Sequence, residues 1–184
     1  MNHHATPRLA AQRLPRRLLA TILALAAGCT APDGDAPQEA AVVDRAVETA
    51  AVERVLNDLH RLASDADFDA YFQLFAEDAV FMGTDATERW SIPEFQGYAI
   101  PADGTPPRGW TYEMTERHVY LDADANSAWF DERLDNANYG ETRGTGTLIK
   151  TEAGWRITQY NLTIPVPNDL AADLVARIRD AAGG

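Results

Sequence analysis

The sequence is poor in the residues that build disulfides, metal centres and nucleophilic active sites. Its 184 residues include one cysteine, Cys29, so no internal disulfide can form and no cysteine pair can hold a metal ion. Beyond this cysteine only His60 and His118 follow, and neither belongs to a His-Glu-x-x-His motif. A Gly-x-Ser-x-Gly motif is also missing. These absences argue against a metalloenzyme and a nucleophilic hydrolase, and we expect neither a metal ion nor a cofactor.

Basic residues are also few, and they are unevenly distributed. The chain has 16 lysines and arginines against 28 acidic residues, a formal net charge of −12. Four of the basic residues and none of the acidic ones lie in residues 1–28, which leaves 12 basic against 28 acidic residues, or −16, for the rest. Because a strongly acidic surface repels polyanions, we exclude a nucleic-acid partner and charge-driven binding to anionic lipid.

Residues 1–28 have the pattern of a secretory signal peptide. A basic segment precedes the apolar run "LLATILALAAG", which is too short to span a bilayer as a mature helix and ends in small residues. The segment "ALAAGCT" then places Cys29 directly after Ala-Ala-Gly. This segment resembles the lipobox of bacterial lipoproteins, in which such a cysteine is lipidated and becomes the new N-terminus. The resemblance implies a lipid anchor at Cys29 and a location on the extracytoplasmic face of the bacterial cell envelope. The alternative is an ordinary signal peptide followed by an unpaired thiol.

The rest of the chain divides into a tether and one domain. Residues 29–40 are rich in Pro, Gly and Asp and have no apolar period, which is typical of a flexible tether. Residues 41–184 are enough for one domain that buries about two thirds of its unfolded surface.

Two kinds of apolar periodicity follow one another in this domain. Steps of three and four residues predict a helix over 39–63 and a second one in which Phe68, Tyr71, Phe72 and Phe75 form an aromatic core stripe. Further along we predict a short strand at "AVFMG", a short helix with Pro93 in its first turn, and a C-terminal helix capped by Asn168 or Asp169. Period-two alternation predicts four antiparallel strands near 110–121, 127–135, 142–150 and 155–164. Helices that cover one face of such a sheet make an α+β fold.

Two segments of the domain also resemble a known family. "DFDAYFQLFAEDAVFMGTD" and "GWRITQYNLTIPVP" are similar to signatures of the SnoaL-like branch of the nuclear transport factor 2-like superfamily, and the resemblance covers about residues 42–165. It implies a cone-shaped α+β barrel with helices packed on a curved antiparallel sheet, a pocket between the two, and often a homodimer through the sheet. Members include isomerases, polyketide cyclases, dehydratases and binding modules, so the resemblance leaves the chemistry open.

The residues that ketosteroid isomerases of this superfamily use are missing. Gly83 stands where their catalytic Asp ends a strand, and the first predicted helix has no Tyr for their oxyanion hole. Their second Asp would fall near Gly146 or Thr147. We therefore do not expect the ketosteroid isomerase reaction.

Strand parity indicates one candidate acid–base pair. If the turn keeps the first two strands in simple register, Glu116 lies opposite Glu132 and His118 lies opposite Phe130, on one apolar face. Desolvation would raise the pKa of a carboxylate on such a face, which would suit proton transfer near neutral pH with a histidine partner. Glu132 and His118 are therefore the candidate catalytic residues. The alternative is that the acids lie at the sheet rim, solvated or paired with an arginine.

The candidate ligand contacts come from three parts of the chain. On the last strand Gln159 and Asn161 share a face, and the expected turn places Gly146 and Gly144 opposite them, which leaves open volume beside two amides. The alternative there is a β-bulge in which the amides bind neighbouring backbone. Asp85 is either a ligand contact or a turn-forming residue. The full set of expected ligand-binding residues is Asp85, Trp90, Tyr112, Phe130, Arg143, Gln159 and Asn161.

These observations favour a membrane-tethered domain that binds a small, partly apolar molecule. One alternative is an acid/base enzyme of cyclase, dehydratase or isomerase type that uses Glu132 and His118. Another is a dimeric interaction module of the cell envelope with a vestigial pocket.

Overall fold

A computed structural model describes residues 43–183 of the chain. The predicted leader, the predicted lipidation site at Cys29 and the tether lie outside the described residues. No helix of the described part is long and apolar enough to cross a membrane. The elements, in chain order, are α1 (Arg45–Asp65), α2 (Phe68–Phe72), β1 (Phe75–Met82), β2 (Arg89–Ser91), α3 (Ile92–Ala99), β3 (Glu113–Leu121), β4 (Ser127–Asn136), β5 (Gly140–Thr151), β6 (Gly154–Thr163) and α4 (Asn168–Ala182).

The strands form one curved sheet in the order β2-β1-β6-β5-β4-β3. Neighbouring strands from β3 to β6 are antiparallel, as their short turns require, and β2 is antiparallel to β1. The pair β1–β6 is parallel, so the sheet is mixed, and β2 was not predicted. Because β2 and β3 remain as free edges, the sheet wraps around the helices without closing into a barrel. The predicted α+β class and the cone-like arrangement are confirmed.

The helix α1 packs on the sheet through one apolar stripe. Val52, Leu56 and Leu59 are almost completely buried. The helix starts later than predicted because the Asp44 side chain accepts hydrogen bonds from the backbone of residues 46 and 47 and so caps it at that point. Its end is set by Ala66 in the left-handed conformation, with φ of 55°.

The aromatic stripe after α1 is core, as predicted, but it spans a helix and a strand. Phe68, Tyr71, Phe72 and Phe75 are all buried. The helix stops at residue 72 because the backbone N–H of Ile157 in β6 donates to the carbonyl of residue 74, at 2.9 Å, and so draws the chain into the sheet.

Two bulges decide which side chains face the helices. In β3 one extra residue, Thr115, lies between Met114 and Glu116, and in β6 the extra residue is Thr158. An added residue moves every later side chain to the other face of the sheet. Beyond the bulges the faces are therefore opposite to those expected from simple alternation.

The C-terminal helix α4 begins after Pro167, and no side chain caps it, contrary to the expectation for Asn168 or Asp169. None of its residues is buried.

Candidate functional site

A cleft of about 770 Å³ opens where the end of β4 meets the loop before β3. Inward-facing residues of the sheet, α3 and the loop of residues 101–112 contribute to its wall. Its apolar part consists mainly of Phe81, Trp90, Phe95, Trp110 and Leu162. A cleft of this size is large enough for a drug-sized molecule.

The aromatic side chains of the cleft are stacked in nearly parallel planes. The ring centroids of Phe81 and Phe95 are 3.9 Å apart at an angle of 22°. Trp90 continues this stack, 5.6 Å from Phe95 at 15° and 4.8 Å from Tyr98 at 26°. Parallel rings on one wall present flat apolar faces, which suit a planar group of a ligand.

Gly109 brings Trp110 into the cleft. The backbone N–H of Trp110 donates to the carbonyl of Ala63 at the end of α1, at 3.1 Å. A Cβ atom at residue 109 would lie only 2.5 Å from the carbonyl oxygen of Ser64, so the loop can pass this closely only with glycine.

Polar groups surround the aromatic wall. Tyr98, Tyr112 and Tyr139 line the cleft, together with Glu88 and Arg108. Burial, and the proximity of Tyr139, Tyr98 and Glu88, raise the pKa of Tyr112 to about 12. Tyr112 is therefore a neutral hydroxyl at physiological pH. Within residues 43–183 none of the three hydroxyls has a hydrogen-bond partner and Arg108 forms no ion pair, so these groups are available to a ligand.

A second polar group lies in the core, around Glu132 on β4. This side chain is fully buried, with 1% of the residue exposed. His60 Nε2 lies 2.9 Å from its Oε1, to which the Tyr160 hydroxyl also donates at 3.0 Å. Arg117 Nε donates to Oε2 at 2.7 Å, and the same guanidinium donates to Asn57 on α1 at 2.7 Å. We call Glu132, His60, Arg117 and Tyr160 the Glu132 cluster; it ties α1 to β3, β4 and β6.

The protonation of the Glu132 cluster follows from its contacts. Desolvation by burial would raise the pKa of Glu132, but the hydrogen bond and charge of His60 and the charge of Arg117 outweigh it, so the pKa lies below its ordinary value. Burial and the charge of Glu132 raise the pKa of Tyr160 well above its ordinary value. At neutral pH the carboxylate is therefore ionised and the tyrosine is a neutral donor. The pKa of Glu132 is therefore not raised, as desolvation alone would have it, because His60 and Arg117 contact the carboxylate.

The predicted pairing of Glu132 with His118 was wrong. The turn pairs Leu121 with Ala128, one residue away from the expected register, so Arg117, not Glu116, lies opposite Glu132. His118 lies opposite Asp131 on the outer face of the sheet. There His118 is about half exposed, 3.2 Å from Glu116. The histidine that does contact Glu132 is His60.

Sequence reasoning missed the three partners of Glu132. His60 could have been noticed, because it lies within the buried stripe of α1, four residues after Leu56 and three before Ala63. Arg117 shares its face with Val119 and Leu121 by simple alternation, which could have indicated that it faces inward. Tyr160 was hidden by the bulge at Thr158.

The glycines of β5 accommodate this cluster and do not open a pocket. Gly144 lies opposite Glu132, where a Cβ atom would be 2.5 Å from the Tyr160 hydroxyl and 2.7 Å from Glu132 Oε1. Gly146 lies opposite Tyr160 and packs under the ring of Phe130. The space that glycine leaves is filled by protein side chains, so the expected volume beside two amides is not there.

The structure separates the predicted ligand-binding residues into four groups. Trp90 and Tyr112 line the cleft. Phe130 is core and contacts Tyr160, with ring centroids 5.9 Å apart. Asp85 is exposed and forms a turn with Thr87, whose hydroxyl and backbone N–H donate to its carboxylate at 2.6 and 2.8 Å and hold its carboxyl pKa below the ordinary value. Because of the bulges and the strand alternation, Arg143, Gln159 and Asn161 lie on the outer face, away from the cleft.

The Glu132 cluster and the cleft are separate features. No member of the cluster lines the cleft. On β4 the residue nearest the cleft is Asn136, four positions beyond Glu132, which corresponds to about 13 Å along a strand. Among residues 43–183, no three His, Cys, Asp or Glu side chains are placed to hold a metal ion.

Solved structures with a similar fold come from several bacteria. A nuclear transport factor 2-like protein of unknown function from Pseudomonas putida KT2440 is 13% identical, with a TM-score of 0.54 over 67% of this chain and 89% of that one. A protein of unknown function from Pectobacterium atrosepticum SCRI1043 is 18% identical, with a TM-score of 0.55 over 66% and 94%. A protein from Novosphingobium aromaticivorans DSM 12444, provisionally named a scytalone dehydratase, is 15% identical, with a TM-score of 0.52 over 66% and 86%. At these identities the likeness concerns the fold alone.

The sequence comparison agrees with the fold. No match was found among curated proteins. Residues 52–167 match the SnoaL-like domain family, a segment that runs from the middle of α1 to the end of the strand region. The chain therefore belongs to the SnoaL-like domain family.

Proposed function

We propose that this protein is a membrane-tethered SnoaL-like domain whose cleft binds a small, partly apolar molecule with a planar group. One observation supports this most directly: the cleft is lined both by stacked aromatic rings and by tyrosines whose hydroxyl groups have no partner within the described residues. The apolar wall would supply most of the affinity, and Tyr112 with its neighbours would orient the polar end of the ligand. The ligand itself would be neutral or carry a charge that Arg108 or Glu88 could match.

The acid/base alternative rests on the buried contact between Glu132 and His60. Three arguments favour a structural role for that contact instead. The carboxylate already accepts three hydrogen bonds, its pKa is lowered and not raised, and it does not line the cleft. A general base must reach the proton that it abstracts. If Glu132 were catalytic, Glu132→Gln would abolish turnover of a bound ligand while leaving its affinity intact.

The binding proposal can be tested with an apolar fluorescent probe, anilinonaphthalene sulfonate. We expect saturable binding to the folded protein with quenching of tryptophan emission, because Trp90 and Trp110 line the cleft. Trp90→Ala should weaken binding about tenfold, since an aromatic anchor typically contributes about 1.4 kcal/mol or more, roughly one factor of ten. Trp129→Ala is the matched control, because Trp129 is about half exposed on the outer face of the sheet. Equal losses in both variants, or no saturable binding, would contradict the proposal.

The proposed anchor is tested by intact-mass spectrometry of protein from bacterial membranes. A lipoprotein would begin at Cys29 and carry added diacylglycerol mass, and Cys29→Ala would remove the lipid and block processing. An ordinary signal peptide would instead be removed from both proteins, and neither would carry lipid.

A further inference from the structure

The helix α4 is an addition to the family domain. It starts at Asn168, directly after the residues 52–167 that match the family. None of its residues is buried, and within residues 43–183 its side chains form no hydrogen bond or ion pair with the rest of the domain. The position of α4 therefore cannot be explained by the cleft or by the core.

One side of α4 is apolar along its whole length. Leu170, Leu174, Val175 and Ile178 lie on this side, and each is between 39% and 58% exposed. Residues spaced by three and four positions share a helix face, so these four side chains form a continuous stripe. An apolar stripe of this length on an acidic protein is typical of a surface that another helix covers.

The charges beside the stripe indicate which partner fits. At 100° per residue, Asp173 and Arg177 lie on one flank of the stripe, one turn apart, and Arg179 lies on the other flank. If a second α4 packs antiparallel on the first, the flank that carries Asp173 and Arg177 contacts the same flank of the other copy. Asp173 of each copy then lies beside Arg177 of the other. A parallel arrangement would bring Arg177 close to Arg179 and would be repulsive.

We propose that α4 is a self-association surface, through which two copies of this chain pair by an antiparallel, two-fold-symmetric contact of their α4 helices centred near Leu174 and Val175. A two-fold axis makes each favourable charge contact occur twice, as in other isologous interfaces. A 15-residue helix is about 22 Å long, so the contact is smaller than a standard stable interface. The dimer is therefore weak, with a dissociation constant between about 1 µM and about 1 mM. This inference does not depend on the proposed ligand.

Sedimentation velocity of the purified full chain, with the same detergent for every variant, tests this proposal. The sedimentation coefficient should rise from the monomer value to the dimer value as concentration increases. Leu174→Asp should abolish this rise. Trp129→Asp, a control at an exposed side chain on the outer face of the sheet, should leave it unchanged.

Charge reversal tests the antiparallel arrangement itself. Asp173→Arg and Arg177→Asp alone should each weaken association about tenfold, since each creates two like-charge contacts in the symmetric dimer. The double variant D173R/R177D keeps the composition and should restore the affinity of the unaltered chain. Circular dichroism checks that α4 remains helical in all of them.

Three results would overturn the proposal. The first is a monomer at all concentrations, as expected if α4 is covered by another segment of the same chain. The second is association that Trp129→Asp abolishes and Leu174→Asp does not, which would place the contact on the sheet. The third is a double variant as weak as the single ones, which would exclude the antiparallel pairing.

Discussion

Replacement of Glu132 by glutamine tests the interpretation of the buried cluster. The substitution keeps the size of the side chain but removes its charge and one acceptor. Arg117 would then be a buried cation without a counter-ion, and its Nη2 already lacks a partner within the described residues. Removal of one partner of a buried ion pair typically costs about 3–5 kcal/mol. We expect a loss of this size in the free energy of unfolding, which is a large part of the stability of an ordinary domain.

The matched control is the same substitution at Glu116. That residue also pairs with an arginine and a histidine, Arg133 and His118, but its side chain is about half exposed on the outer face. Surface pairs contribute about 1 kcal/mol or less, so Glu116→Gln should leave stability nearly unchanged. Urea unfolding followed by tryptophan fluorescence measures both variants against the unaltered chain. If Glu132→Gln cost no more than Glu116→Gln, the carboxylate would not be the buried ion-pair partner described above.

The cluster and the cleft allow three shorter predictions. The stabilisation by the Glu132 carboxylate is the difference in free energy of unfolding between the unaltered chain and Glu132→Gln. This difference should be full above the ordinary pKa of 4.5 and shrink as the pH falls below it, because the folded state, in which the pKa is lowered, favours the ionised form. Urea titrations between about pH 6 and about pH 3 measure this difference, and a difference that grew on acidification would refute the reasoning. Gly144→Ala should destabilise the domain by about 1–3 kcal/mol through overlap with the cluster. Gly97→Ala on α3, where a Cβ atom meets nothing within 4 Å, should instead be neutral or stabilising by up to about 1 kcal/mol in the same unfolding assay. Ultraviolet difference spectra should show a phenol that titrates at about pH 12 and is lost in Tyr112→Phe. If the lost phenol titrated near the ordinary pKa of 10.0 instead, Tyr112 would not be buried in the cleft wall.

The helices and the antiparallel order of β3 to β6 could be predicted because their signals are local. The apolar stripe of α1, the aromatic residues from Phe68 to Phe75 and the short turns between β3 and β6 each depend on neighbours in sequence. The parallel contact of β1 with β6 joins distant segments and has no such signal. The edge strand β2 was not expected because its three residues are too few to show an alternation.

The errors at the candidate site come from strand register: a one-residue shift at the β3–β4 turn and the two bulges. Tyr112 precedes the bulge at Thr115 and lines the cleft, whereas His118 follows this bulge and lies on the outer face. On β6 the bulge at Thr158 likewise divides Ile157, which faces the core, from Gln159, which does not. Alternation predicts which face of the sheet a side chain occupies only up to the next bulge. Nothing in the alternation of these strands indicates where a bulge lies.

The same bulges explain why a buried glutamate and an open cleft can coexist in one small sheet. By reversing the faces of β3 and β6, they turn Arg117 and Tyr160 inward onto Glu132 and turn His118 and Gln159 outward. The inward set ties α1 to three strands through hydrogen bonds that need no ligand. The cleft lies near the end of β4, where Asn136 binds the backbone of residues 111, 138 and 139, and its tyrosine hydroxyls have no partner within residues 43–183. A change at an exposed cleft residue such as Tyr98 or Tyr139 should therefore alter binding with little effect on folding, and a change in the Glu132 cluster should do the opposite.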